Sequence, residues 1–155
     1  MSASGLRGVA AAVAAWALAA GAWAQAPEGT RSIPARHNFD VLLERVERAV
    51  EKHGLGVVAI ASASRGAAAR GVKIPGNAVV MVFRNDLAVK LLAASVPAGI
   101  EAPLRIYVTE NRGGATLTYR VPSVVFAPYR HPEVERLARE LDELLARIAQ
   151  DAAGN

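Results

Sequence analysis

The stretch LRIYVTENRGGATLTYRV, Leu104–Val121, decides the fold. Leu104, Ile106 and Val108 alternate with Arg105, Tyr107 and Thr109, the period of two that sends successive side chains to opposite faces of a strand. Asn111-Arg112-Gly113-Gly114 reads as a hairpin turn. ATLTYRV then returns with Leu117 and Tyr119 on one face and Thr116, Thr118 and Arg120 on the other. Two adjacent alternating strands imply an antiparallel pair with one apolar face and one partly accessible face. The apolar face needs a cover, which the rest of the chain must supply.

On the C-terminal side, Pro122–Arg130 reads as a loop with apolar content. His131-Pro132 then opens a helix whose stripe is Val134, Leu137, Ala138, Leu141, Leu144, Leu145 and Ile148. That stripe can pack on the sheet or form a seam with another helix. On the N-terminal side, Phe39, Leu42, Leu43, Val46, Ala49 and Val50 recur at helical spacing and predict a helix over Phe39–His53. Asn38 or Asp40 is available at its start, and Gly54 lies beyond its end. LGVVAIAS (Leu55–Ser62) predicts a buried strand, RGAAARG (Arg65–Gly71) one or two helical turns, and Val72–Ile74 a short extended piece. Ala78–Phe83 is the next core strand, and Leu87–Ala94 a helix ended by Val96-Pro97-Ala98-Gly99. The predicted class is α+β: a two-layer sandwich, its mainly antiparallel sheet of about four to five strands covered on one face by two long helices.

The beginning of the chain reads as a processing signal. Arg7 precedes an uncharged, alanine-rich run from Val9 to about Ala20, and Ala22-Trp23-Ala24 satisfies the small-x-small rule. Residues 1–24 are therefore expected to be a cleaved signal peptide. Cleavage after Ala26 would leave Pro27 first, so Ala24 is preferred. An uncleaved anchor competes poorly, because the run falls short of the ~20 strongly apolar residues a span needs. The product, destined for the periplasm or secretion, starts with a flexible leader over residues 25–36, in which Thr30–Ser32 could form a short strand. Residues 37–152 make one domain. With no cysteine, the chain has no disulfide, thiol chemistry or cysteine–metal site.

The chain carries 18 basic and 14 acidic side chains. Ten of the basic ones, against only Asp86, Glu101 and Glu110, fall between Lys52 and Arg130. The sheet-forming middle is thus basic and suited to an anionic ligand or surface. No nucleic-acid recognition motif accompanies it.

Motifs for chemistry are sparse. His37, His53 and His131 form no close ligand cluster, so no metal or cofactor is expected. The serines lack a nucleophile elbow. An enzyme would have to use Asp86, Glu101, Glu110 or a distant histidine as base. Ser64–Gly71 (SRGAAARG) follows a strand but lacks a phosphate-loop pattern, although backbone N–H groups near Arg65 and Arg70 could hold an anion. Arg105, Tyr107 and Arg120 are the principal polar set, because guanidinium groups clamp carboxylate or phosphate and tyrosine adds an amphipathic wall. Arg84 and Asn85 join them as candidates at the strand–helix joint of VFRNDLAVKLL. There Asn85 reads as the N-cap with Asp86 in the first turn, which leaves Arg84 without a structural task.

Taken in order, these pieces resemble the domain of unknown function 302 family, from Phe39 to about Ile148. The resemblance rests on the first helix ending at Gly54-Leu55, on Ala67/Ala68 with Gly71, and on Phe83-Arg84-Asn85-Asp86. It continues through Ala102-Pro103-Leu104-Arg105-Ile106-Tyr107-Val108, Glu110, Gly113/Gly114, Tyr119 and Pro122. Two departures stand out. Arg84 and Asp86 replace the glycine and proline of the usual Phe-Gly-Asn-Pro wording, and the histidine often found near Ser62–Ser64 is missing. The resemblance implies a small α+β domain that forms homodimers, with a pocket region but no assigned reaction. The functional expectation is a ligand-binding exported domain using Arg84, Asn85, Arg105, Tyr107, Arg120 and Arg65 for a small anionic or amphipathic molecule. The alternatives are a structural or protein-interaction dimeric subunit, or an enzyme of unknown reaction.

Overall fold

The computed structural model describes residues 26–154; the expected signal peptide lies outside the described residues. Five antiparallel strands, β1 (Thr30–Ala35), β2 (Gly56–Ala61), β3 (Asn77–Phe83), β4 (Leu104–Asn111) and β5 (Gly114–Arg120), form one sheet in the order β1-β5-β4-β3-β2. The helices are α1 (Phe39–Lys52), α2 (Ala63–Ala68), α3 (Asn85–Ala94), α4 (Pro122–Phe126) and α5 (Pro132–Ala153). Short 3-10 segments cover Val96–Glu101 and Ala127–Tyr129.

The β4–β5 hairpin lies in the middle of this sheet. Ile106 and Val108 of β4 and Leu117 and Tyr119 of β5 face the helices, as the alternation predicts. α1 and α5 cross that face, burying Leu42, Leu43, Val46 and Val50 from one helix and Leu137, Leu141, Leu145 and Ile148 from the other. Burial of each such side chain contributes about 1.5–3 kcal/mol, so the two stripes supply most of the cohesion between the layers. Asn38 accepts the Val41 N–H at 2.9 Å and fixes the start of α1. His131 Nδ1 accepts the Glu133 N–H at 3.3 Å at the start of α5.

Residues in α1 and just before and after it hold the C-terminal end of α5. Arg45 Nε donates to Ala152 O at 2.7 Å, and His37 Nε2 lies 3.0 Å from Gly154 O. The Asp151 carboxylate meets Lys52 Nζ and His53 Nε2, each at 2.8 Å. These bonds satisfy carbonyls that a helix end leaves unpaired and place cations at the negative end of its dipole.

Four segments differ from their sequence readings. The leader contains a full strand, because β5 pairs with Thr30–Ala35 and supplies the backbone partners that TRSIPA cannot announce by composition; Pro34 is tolerated on this outer strand. β2 is an edge strand with a bulge between Val57 and Ala59, so most of it is exposed rather than buried. Pro122–Tyr129, read as a loop, is α4 and a 3-10 turn, with Phe126 in the core. Val72–Ile74 forms no strand.

Gly114 is obligatory at the hairpin exit. It sits at φ +145°, and a β-carbon there would strike the backbone oxygens of Ala35 and His37.

Candidate functional site

Only one face of the sheet is covered by α1 and α5. On the open face the residues lie in rows fixed by the pairing register. Ala61, Val79, Tyr107, Thr118 and Ser32 make one row, in which Ser32 Oγ and Thr118 Oγ1 are 3.0 Å apart. The neighbouring row begins with Ala59, Met81 and Arg105 and ends with Arg120 and Thr30. Arg105 and Arg120 lie one step beyond the paired Ile106 and Tyr119, and so stand opposite each other. The open face is therefore apolar on β2 and β3 and cationic on β4 and β5.

Arg105 and Arg120 line a recess of about 50 Å³ together with Glu101, Leu104 and Val125. Neither arginine has a carboxylate within ion-pairing distance among the described residues. Glu101 instead accepts a hydrogen bond from the Tyr129 hydroxyl at 3.1 Å. Desolvation first, and then this bond and the Glu101 charge, hold the Tyr129 phenol above its ordinary range, so it stays a donor. The recess thus offers two guanidinium forks and one anchored carboxylate. The guanidinium groups of such a set can grip a carboxylate or phosphate, while the Glu101 carboxylate can accept a hydrogen bond from a separate donor group on the same ligand.

The other candidates are placed as follows. Tyr107 is 41% exposed in the row beside the arginines. Arg84 is at the same end of the sheet but on the helix side of Leu104. It lines an apolar cleft of about 40 Å³ with residues such as Phe83, Leu87, Phe126 and Leu141. The structure supplies the task the sequence could not give it: Arg84 occupies the N-cap position of α3, and its Nε donates to Asp86 Oδ1 at 2.9 Å. Asn85 is the first helical residue rather than the cap, and its exposed side chain makes no capping bond. The cap assignment is therefore corrected by one residue.

Arg65 lies at the opposite end of the sheet, beyond Ala61, and does not join the set. Its glycine-rich segment is satisfied internally. Ser62 Oγ accepts the Arg65 N–H at 3.1 Å, and Asn77 Oδ1 accepts the Ala63 N–H at 3.1 Å, so two first-turn donors of α2 are already used within the protein.

Glu110 is engaged in structure too, its carboxylate accepting the Gly76 N–H at 2.7 Å. Among the described residues, no group of three or more His, Cys, Asp or Glu side chains is arranged to hold a metal ion. Sequence reasoning missed Val125 as a neighbour of the arginines and Tyr129 as the partner of Glu101, because the segment carrying them reads as a loop. A Pro at the first position of a helix was the available signal.

The fold and site define an α+β domain with one helix-covered sheet face and a cationic recess on the other. The comparisons agree with the α+β fold. The family model described as Domain of unknown function DUF302 matches residues 31–152, and the chain belongs to this family. Among solved structures it is similar to the uncharacterized conserved protein DUF302 from Bacillus stearothermophilus. The TM-score is 0.73 at 16% identity, covering 81% of this chain and 99% of that one. No curated protein matches it.

Proposed function

We propose that this domain binds a small anionic or amphipathic ligand on the open face of its sheet. The observation that carries this reading is the opposed pair Arg105 and Arg120, lining one recess with no ion-pair partner for either among the described residues. Directly opposed like charges destabilise a strand pair, and a bound anion would turn that repulsion into attraction. Met81, paired with Arg105, and the adjacent Val79 continue the site with apolar surface on which the rest of an amphipathic ligand would lie. Export through the segment 1–24 would place the binding in the periplasm or outside the cell.

The test is a thermal-shift screen of the chain from Gln25 onward with inorganic phosphate, carboxylates and lipids. Concentration-dependent stabilisation that disappears in an Arg105→Gln/Arg120→Gln variant supports the proposal. Equal response of the variant, or no response to any class, refutes it. The alternative is a homodimer covering the same face, favoured by the exposure of Tyr107 beside an apolar strand pair. Light scattering on the chain with Tyr107→Glu distinguishes it, since a sheet-face dimer would dissociate.

A further inference from the structure

The recess of Arg105 and Arg120 carries both signs of charge. Arg105 comes from β4, Arg120 from β5, and Glu101 from the end of the 3-10 segment Val96–Glu101. All three line the same space of about 50 Å³, and Leu104 and Val125 complete its wall. Opposite charges sharing so small a space attract. Yet neither arginine pairs with Glu101, or with any other carboxylate among the described residues. The space is worth on the order of three to five waters, which suits a head group of a few heavy atoms.

Tyr129 keeps the charges apart. Its hydroxyl donates to Glu101 Oε1 at 3.1 Å, and its ring packs against that of Phe126, a core residue, with 6.2 Å between centroids. The backbone beneath Glu101 is held as well, because the Ala102 N–H donates to Gly99 O at 3.2 Å. Glu101 and Tyr129 are half-buried, whereas both arginines are exposed. The carboxylate is thus anchored through one oxygen, and Oε2 has no hydrogen-bond partner among the described residues.

This arrangement discriminates among anions. Two guanidinium groups and one carboxylate give the recess a single net positive charge. Inorganic phosphate, which carries more than one negative charge at neutral pH, exceeds that and crowds its charge against Glu101. A simple carboxylate matches the arginines but still meets Glu101 as a like charge and leaves Oε2 without a partner. A hydroxyl on the same molecule would supply the hydrogen bond without the charge. An ammonium group supplies both, because it has three donors and no acceptor.

We infer that the recess takes a small amino carboxylate, its carboxylate on Arg105 and Arg120 and its ammonium group on Glu101. This rests on the anion site proposed at the two arginines, and NMR titration of the backbone amide signals of the chain from Gln25 onward separates the two readings. Acetate, propionate and butyrate are compared with glycine, β-alanine and γ-aminobutyrate at neutral pH and equal ionic strength. Each amino member adds only an ammonium group to its parent acid, at increasing distance from the carboxylate. At least one of them should bind about two- to fivefold tighter than its parent, the worth of one exposed ion pair. Glu101→Gln keeps an acceptor for Tyr129; it should erase that preference and, by removing a like charge, strengthen the binding of inorganic phosphate. Arg105→Gln/Arg120→Gln should remove the response to every probe. Parent acids that bind as tightly as all their amino counterparts, or a Glu101→Gln variant that keeps the preference, overturn this inference and leave the anion site standing. Weaker phosphate binding by Glu101→Gln also overturns it, since Glu101 would then only support the fold around the recess. No response of the wild type to any probe overturns both readings.

Discussion

Arg105 of β4 and Arg120 of β5 stand opposite each other on the open sheet face, one step beyond the paired Ile106 and Tyr119. Neither forms an ion pair among the described residues, although Glu101 lines the same recess. Without a counter-ion between them, this pairing works against the sheet. Arg120→Gln is therefore expected to raise unfolding stability at low ionic strength by about 0.2–1 kcal/mol. Urea denaturation reads the difference. Phosphate should stabilise the wild type more than the variant and narrow or reverse the gap. A variant less stable than wild type at low salt would mean that the two arginines do not repel.

Asn38 provides a simpler test of local structure. Its side chain takes the Val41 N–H at 2.9 Å, one of four donors that the start of α1 would otherwise leave to water. Asn38→Ala should cost about 1 kcal/mol and Asn38→Gly only a few tenths. Urea midpoints of the two variants check this order, and equal losses would contradict it.

Ile148 is fully buried in α5 within the core shared by both layers. Truncation to alanine removes apolar contacts and leaves a space that the surrounding helices and strands only partly fill. Ile148→Ala should cost about 2–5 kcal/mol in chemical denaturation. A loss below about 1 kcal/mol would show that α5 is not held to the sheet as described.

The clamp at the end of α5 predicts a pH dependence. Hydrogen bonds from Lys52 and then His53 hold the Asp151 carboxyl below its ordinary range. A depressed folded-state value stabilises the fold fully above the ordinary carboxylate range and less as pH falls through it. Asp151→Asn should therefore be less stable than wild type near neutral pH, with the difference shrinking as pH falls through and below the ordinary carboxylate range. Thermal unfolding across that span measures it, and a difference that stayed constant would reject the linkage.

How much of this was legible depends on whether the signal was local. The β4–β5 hairpin, the faces of its residues, and the stripes of α1 and α5 follow from periodicity, since burial on one side imposes it directly. β1 was barely visible because an edge strand takes half its definition from its neighbour, and TRSIPA has little apolar content. The α3 cap shifted by one residue, because Asn85 has the better capping side chain while the backbone turns at Arg84. Of the six proposed ligand-binding residues, Arg105, Tyr107 and Arg120 share the open face. Arg84 and Asn85 belong to the neighbouring helix joint, and Arg65 lies at the far end.

By itself the sequence determined the layers: which strand faces are apolar, which helices can cover them, and that the middle of the chain is basic. Tertiary structure decided which of those basic groups meet. Residues fifteen apart, such as Arg105 and Arg120, become neighbours only through strand register. Val125 reaches them through a helix that reads as loop. Periodicity reports which face of an element is buried; it carries no record of which elements lie side by side.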